Sequence, residues 1–261
     1  MSFPMPSPWF DAEAHPNKLN LVCLPQAGGD TSLYNRWKVP LGDQVNVMPA
    51  KFPGRGGRLG EPAINCMEEV VDQLAQEIGQ FGEAPFALLG SSMGGWIAYE
   101  LALYLAKQHH LEPTALFVLA SASPFAARSL PFLEGCTREE MIEELILFNP
   151  DFKQIAEHDE LVSLLLPAII SDFKLCETYR PRAPWKVKSP IFAFAGREDQ
   201  IVERSKVEEW TTLSSETVVI DDVEGGHFFI EELPIKVLDQ IREHAANVVH
   251  QMSQPATLQL A

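Results

Sequence analysis

The sequence predicts an α/β fold, a mostly parallel central sheet flanked by helices, in a single domain over residues 1–261. Short apolar runs such as "KLNLVCLP", "PFALLG" and "SPIFAFAG" read as buried strands. Longer stretches carry apolar residues three and four apart; in "CMEEVVDQLAQEIGQF" these are Val70, Leu74, Ile78 and Phe81. Strand and helix then alternate along most of the chain, which implies a parallel sheet covered on both faces.

Taken in order, residues 1–17 are Pro-rich and read as irregular. "KLNLVCLP" is a strand, "QAGGDTS" a turn and "SLYNRWKVP" a helix. "VNVMPAKF" is a second strand, followed by the turn-rich loop "PGRGGRLGEP" and the amphipathic helix above. "PFALLG" leads into the helix "MGGWIAYELALYLAKQ". "TALFVLASAS", "SPIFAFAG" and "ETVVI" are further strands, "PIKVLDQIREHAANVV" is the last helix, and "QMSQPATLQLA" reads as a frayed tail. Residues 124–186 break the alternation. They contain the helical segments "TREEMIEELILF" and "DELVSLLLPAIISDFKLCETY" without a strand, and are far longer than a simple crossover needs. A helical insertion here lies over the carboxyl ends of the strands, where open α/β sheets bind ligands. It is expected to be a lid or tunnel wall; a long crossover helix pair is the plainer alternative.

Composition narrows the function. Hydrophobic residues make up 46% and charged residues 21%, as in a globular protein. The 36 acidic and 20 basic residues give a net charge of −16, which argues against nonspecific binding to nucleic acid or an anionic membrane. Cys23, Cys66, Cys136 and Cys176 are scattered without metal-ligand spacing, so reduced thiols and a cytoplasmic location are expected, with no metal. There is no secretory signal pattern and no run approaching roughly 18 apolar residues.

The chemistry starts at "LLGSSMGGWIAYE", residues 88–100. Gly90, Ser92 and Gly94 satisfy G-x-S-x-G; Ser91 lacks that glycine frame. By itself the match would occur by chance in roughly one chain in ten of this length. A strand before it and a helix after it make it the context of a nucleophile elbow, a sharp turn that presents a serine hydroxyl. A serine needs an adjacent base. Of seven histidines, His227 in "EGGHFF" is best placed, in a Gly-rich loop after a strand. The base needs a carboxylate to fix its tautomer. Asp199 follows the strand "IFAFAG"; Glu198, Asp221 and Asp222 compete with it. The order Ser92, Asp199, His227 is that of the α/β-hydrolase fold. The tetrahedral intermediate also needs donors. The backbone N–H groups of Met93 and of Ala27, in the "PQAGG" loop, are the expected pair.

The motifs "LPQAGG", "FPGRGGRLGEP", "LLGSSMGGWIAYELA", "LPAIISDFKLCETYRP", "FAGREDQIV" and "EGGHFFI", in this order over about residues 18–250, resemble the type II (editing) thioesterases of nonribosomal peptide and polyketide synthesis. One departure is Gln26, where the family commonly has histidine or an aromatic residue. The resemblance implies an α/β-hydrolase that frees misprimed or stalled acyl groups from the phosphopantetheine arm of acyl or peptidyl carrier proteins. It implies no cofactor beyond that arm, which belongs to the substrate, and a monomer is expected. Medium-chain acyl-ACP/acyl-CoA thioesterases of fatty-acid synthesis share the pattern. A generic carboxylesterase would share the catalytic residues, and a noncatalytic binding protein is a further alternative. Carrier proteins are typically acidic, so docking on this acidic chain calls for apolar contact or a local basic patch. "YRPRAPWKVK" offers Arg180, Arg182, Lys186 and Lys188 beside Trp185, either as a docking rim or as a solvated stretch.

Overall fold

The computed structural model describes residues 7–127, 130–131 and 133–253. Its sheet has the order β2-β1-β3-β4-β5-β6, and every pairing is parallel. The strands are β1 Leu19–Leu24, β2 Val45–Pro49, β3 Phe86–Ser91, β4 Leu116–Leu119, β5 Ile191–Gly196 and β6 Val218–Val223. The α-helices are α1 Ser32–Asn35, α2 Lys38–Leu41, α3 Met67–Ile78, α4 Met93–Gln108, α5 Arg138–Phe148, α6 Phe152–Ala156, α7 Asp159–Thr178, α8 Arg204–Glu208 and α9 Ile235–Ser253.

Successive strand residues face opposite sides, and both sides are covered. In β1, Leu19, Leu21 and Cys23 pack with Trp37 of the α1–α2 region and Ile241 of α9. Val22 and Leu24 pack on the other side with α3 and α4. The apolar face of α3 is buried through Val70, Val71, Leu74, Ala75 and Ile78. Burying one such side chain contributes about 1.5–3 kcal/mol, so the repeat at three and four residues is what seats the helix. A third cluster, including Leu145, Phe152, Val162, Leu166, Ile169 and Phe173, lies within α5–α7, between β4 and β5 in sequence. Thr137 starts α5 with a capping box: its hydroxyl accepts from Glu140 N–H, while its own N–H donates to the Glu140 carboxylate.

Several boundaries differ from those read in the sequence. The expected helix "SLYNRWKVP" is two short helices, because Pro40 has no N–H to donate to the carbonyl of Arg36. The strand expected across "TALFVLASAS" ends at Leu119, where Ala120 takes a left-handed φ of 45°. The strand expected at "ETVVI" runs on to Val223, so Asp221 and Asp222 lie within it. The short α6 was not anticipated. Residues 7–17 form neither helix nor strand, yet they are anchored, since Trp9 and Phe10 are buried and Trp9 meets Phe52 edge-on. The expected tail is helical through Ser253; residues 1–6 and 254–261 lie outside the described residues.

The strand order places the site. From β1 the chain goes to β2 on one side, then returns to β3 on the other. Reversal of direction opens a crevice at the carboxyl ends of β1 and β3, the usual ligand position in open α/β sheets. The loops leaving those two strands carry Ala27 and Ser92.

Candidate active site

Ser92 sits between β3 and α4 with φ 50° and ψ −114°, a backbone conformation that a non-glycine residue holds only when its surroundings impose it. Its N–H donates to Leu119 O at 2.9 Å. Its carbonyl accepts from the Ser121 hydroxyl at 2.7 Å and from Gly95 N–H at 3.0 Å. The glycine frame is a packing requirement. A Cβ on Gly90 would lie 2.1 Å from Gly94 O, and one on Gly94 would lie 2.1 Å from Leu24 O. Ser91 is buried in β3, whereas Ser92 is partly exposed, and the Ser92 Oγ is 3.0 Å from His227 Nε2.

His227 Nδ1 lies 2.9 Å from Asp199 Oδ2. Asp199 is fixed in turn, because Oδ1 accepts from the N–H groups of Ile201 and Val202, both at 2.8 Å. The two side chains are 3% and 1% exposed, a setting in which hydrogen bonds are electrostatically stronger than in water. Their loops are laced together by Glu198 N–H donating to Gly225 O and Arg197 N–H to Val223 O. The close crossing requires Gly196, whose Cβ would lie 2.6 Å from Gly226 O. The competing acids are elsewhere: Glu198 is exposed, Asp221 pairs with Lys236, and Asp222 pairs with Arg204.

Ala27 and Met93 line the same chamber as Ser92. Among the described residues, neither backbone N–H is engaged in a hydrogen bond. Gly29 N–H donates to Gln26 O at 2.9 Å, and Gly28 has φ 75°, which makes Gln26–Gly29 a turn of type II character. The Gln26 side chain lies against Gly29, and its Oε1 is buried with no partner among the described residues. Two residues that sequence reasoning did not single out grip this turn. Asp172 of α7 accepts from Gly28 N–H at 2.7 Å, and Arg55 donates to both Asp172 and Gly29 O. Each was present in a quoted motif, but nothing in the sequence pairs positions 117 residues apart.

The chamber at Ser92 is about 40 Å³ and is lined by Trp96, Ala122, Phe148, Phe173, Ile201 and Val202, among others. That is room for roughly three water-sized groups. It shares Ala27, Phe148 and Phe173 with an adjoining open cavity of about 570 Å³. Glu231 borders the open cavity; burial raises its carboxyl pKa, Asp151 adds to the rise, and Arg36 opposes it. Phe148, the last residue of α5, meets His227, Phe173 and Phe228 edge-on and stands between the two spaces. Phe148→Ala should therefore merge them. The ratio of kcat/KM for an eight-carbon over a two-carbon acyl thioester is expected to rise about tenfold or more, since each methylene accommodated contributes about 0.8 kcal/mol. An unchanged chain-length profile would show that Phe148 does not limit the chamber.

A separate groove, about 540 Å³, lies across α4 and holds no serine. Met67, Glu68, Glu100, Tyr179, Arg182 and Trp185 line it. Burial raises the pKa of Glu100, although the Tyr179 hydroxyl donates to it. The rings of Tyr179 and of Trp96, which lines the Ser92 chamber, are 5.8 Å apart and separate groove from chamber. The basic stretch does not line the Ser92 chamber. Arg180, Arg182 and Trp185 face this groove, and Lys188 pairs with Glu112 near the amino-terminal edge of the sheet. The reason is the chain's course, which descends from α7 along α4 to start β5 at that edge. Among the described residues, no cluster of three or more His, Cys, Asp or Glu side chains could hold a metal, and no helix is long and apolar enough to cross a membrane.

Comparison with known proteins gives the family. The thioesterase domain model matches residues 19–245. The gramicidin S biosynthesis protein GrsT of Aneurinibacillus migulanus is 29% identical over 222 residues, 85% of this chain and 87% of that protein. The medium-chain S-acyl fatty acid synthase thioesterase of Homo sapiens is 30% identical over 80% of each chain. Among solved structures, the type II thioesterase BorB from the borrelidin biosynthetic cluster superposes with a TM-score of 0.81, at 31% identity, over 91% of this chain and 97% of its own. The fold is that of the α/β-hydrolase thioesterases, and the chain belongs to the thioesterase domain family.

Proposed function

We propose that this chain is a serine thioesterase that hydrolyses short acyl groups from the phosphopantetheine arm of carrier proteins, as an editing enzyme of nonribosomal peptide or polyketide synthesis. The observation that carries the reading is the chain of contacts from Ser92 Oγ to His227 to Asp199, inside a thioesterase-family domain. His227 Nε2 takes the Ser92 proton as Oγ bonds to the thioester carbonyl carbon. The N–H groups of Ala27 and Met93 hold the oxyanion, and Asp199 stabilises the imidazolium. The C–S bond then breaks, and the thiolate receives the proton from His227. A thiol of pKa about 8.5 needs little acid assistance to leave. Water, deprotonated by His227, attacks the acyl-Ser92 ester; the bond to Oγ breaks, Oγ takes the proton back from His227, and the free acid leaves. Helices α5–α7 serve as a lid over this chemistry. The enzyme works as a cytoplasmic monomer, with the arm as part of its substrate.

The small chamber favours this reading over a medium-chain fatty-acyl thioesterase, since it has room for an acetyl-sized group but not for eight or more carbons. The test is hydrolysis of two- to twelve-carbon acyl groups on a carrier protein, on coenzyme A and as oxygen esters, with Ser92→Ala as control. The two- to four-carbon carrier thioesters are expected to turn over fastest. A maximum at eight to twelve carbons would favour the fatty-acid reading, and a preference for oxygen esters would favour a carboxylesterase.

A further inference from the structure

Asp172 and Arg55 form a nearly solvent-free ion pair, 1% and 5% exposed, that the hydrolytic steps above do not use. Removing two charges from water is costly, and a pair kept at this depth needs good geometry to offset that cost. Arg55 Nη1 and Nη2 meet the two carboxylate oxygens at 2.5 and 2.6 Å. Their other hydrogen bonds all go to a single turn, while Arg55 Nε is buried without a partner among the described residues. Asp172 Oδ2 accepts Gly28 N–H at 2.7 Å, and Arg55 Nη1 donates to Gly29 O at 3.1 Å. The Gly28 N–H belongs to the central peptide of the Gln26–Gly29 turn, whose orientation distinguishes a type II turn from a type I turn. A flipped peptide would aim the Ala27 carbonyl at the carboxylate instead. The same helix presses on the turn a second time, since Ile169 Cγ1 would lie 3.1 Å from a Cβ on Gly28. Ile169 and Asp172 are three residues apart, on one face of α7.

We propose that Asp172, held by Arg55, is a positioning residue: it anchors the Gln26–Gly29 turn, whose Gly29 N–H to Gln26 O bond holds the Gln26–Ala27 peptide and so sets the Ala27 N–H as an oxyanion donor, and it makes that setting depend on the seating of α7. The donor is in place only while α7 is docked, so the helix covering the site also arms it. This inference rests on Ala27 being a donor in the thioesterase reaction.

Removing one partner would strand a buried charge, so the informative variants change both residues. Arg55→Met/Asp172→Leu removes the charges and the acceptor for Gly28. Arg55→Gln/Asp172→Asn also removes the charges but keeps an oxygen acceptor there. The apolar pair should lose at least a hundredfold in kcat on a small acyl thioester, the scale of one lost oxyanion donor, with KM within twofold. The polar pair should recover at least tenfold of that loss. A purely structural role of the ion pair would move both variants alike. Binding of a trifluoromethyl ketone analogue, which forms an oxyanion on Ser92, should weaken in parallel with kcat. Binding of a thioether analogue without a carbonyl should not change. Equal kcat in the two folded variants, or an apolar pair within threefold of the parent, overturns the proposal. If the apolar pair does not fold, the polar pair decides, because its neutral acceptor is weaker than a carboxylate. A threefold or greater weakening of the ketone alone supports the coupling, and no selective weakening overturns it. Full activity in Ser92→Ala would instead defeat the underlying enzymatic reading, whatever these variants do.

Discussion

His227→Ala and Ser92→Ala should each leave a folded protein whose turnover on an acyl thioester is about 10⁴-fold lower or worse, and combining them should cost little more. The non-additivity follows from the contact at 3.0 Å between Ser92 Oγ and His227 Nε2: without either partner, the activated nucleophile does not exist. Asp199→Asn should fall by several orders of magnitude as well. The amide keeps an oxygen that can accept from Ile201 and Val202, as Oδ1 does now, so the loop is expected to hold. The carboxylate at His227 Nδ1 is then replaced by an NH2 group, which favours the wrong imidazole tautomer. Steady-state kinetics with circular dichroism separates these losses from unfolding. Mass spectrometry of a trapped acyl-enzyme should place the adduct on Ser92 and not on the buried Ser91. An adduct on Ser91, or Asp199→Asn within tenfold of the parent, would sink the assignment.

Much of this site is legible in the sequence because it is made of local patterns. A strand, a G-x-S-x-G turn and a helix occupy consecutive residues, so Ser92 can be placed without any long-range information. His227 and Asp199 follow from loops that end β6 and β5. Choosing Asp199 over Asp221 and Asp222 is harder by pattern alone, since all three are acids near strand ends. The structure separates them by their partners, which are a histidine in one case and exposed cations in the others. What the sequence hides is contact between distant segments. The Arg55–Asp172 clamp and the closure of the chamber by Phe148 arise from the way α5–α7 fold over the sheet, and no periodicity records that docking. The position of the basic stretch around Trp185 is hidden for the same reason. Its charges are evident in the sequence, but which side of α4 it descends is not.

Gly94→Ala should be among the most destabilising conservative changes in the chain, and two opposing effects decide its sign. Gly94 lies in the first turn of α4, where alanine is the better helix former by about 1 kcal/mol. Against that, the new Cβ would sit 2.1 Å from Leu24 O and 2.9 Å from Pro25 O. These are backbone atoms at the end of a central strand, so no side-chain rotation relieves the clash. Overpacking in a close-packed interior costs typically 1–3 kcal/mol, and a clash with backbone on this scale about 3 kcal/mol or more. The clash wins, for a net loss of about 2 kcal/mol or more and a melting temperature lower by about 4–8 °C. Activity should fall further than stability accounts for, because Leu24 and Pro25 lead directly into the turn that carries Ala27. Gly60→Ala is the matched control: a Cβ there meets nothing within 4 Å, so its melting temperature and turnover should match those of the parent. Calorimetry and thioester kinetics on the two variants test the pair together. A Gly94→Ala protein as stable and active as Gly60→Ala would mean that α4 can move away from β1 without loss, and the close approach of helix and strand would not be what holds the serine in place.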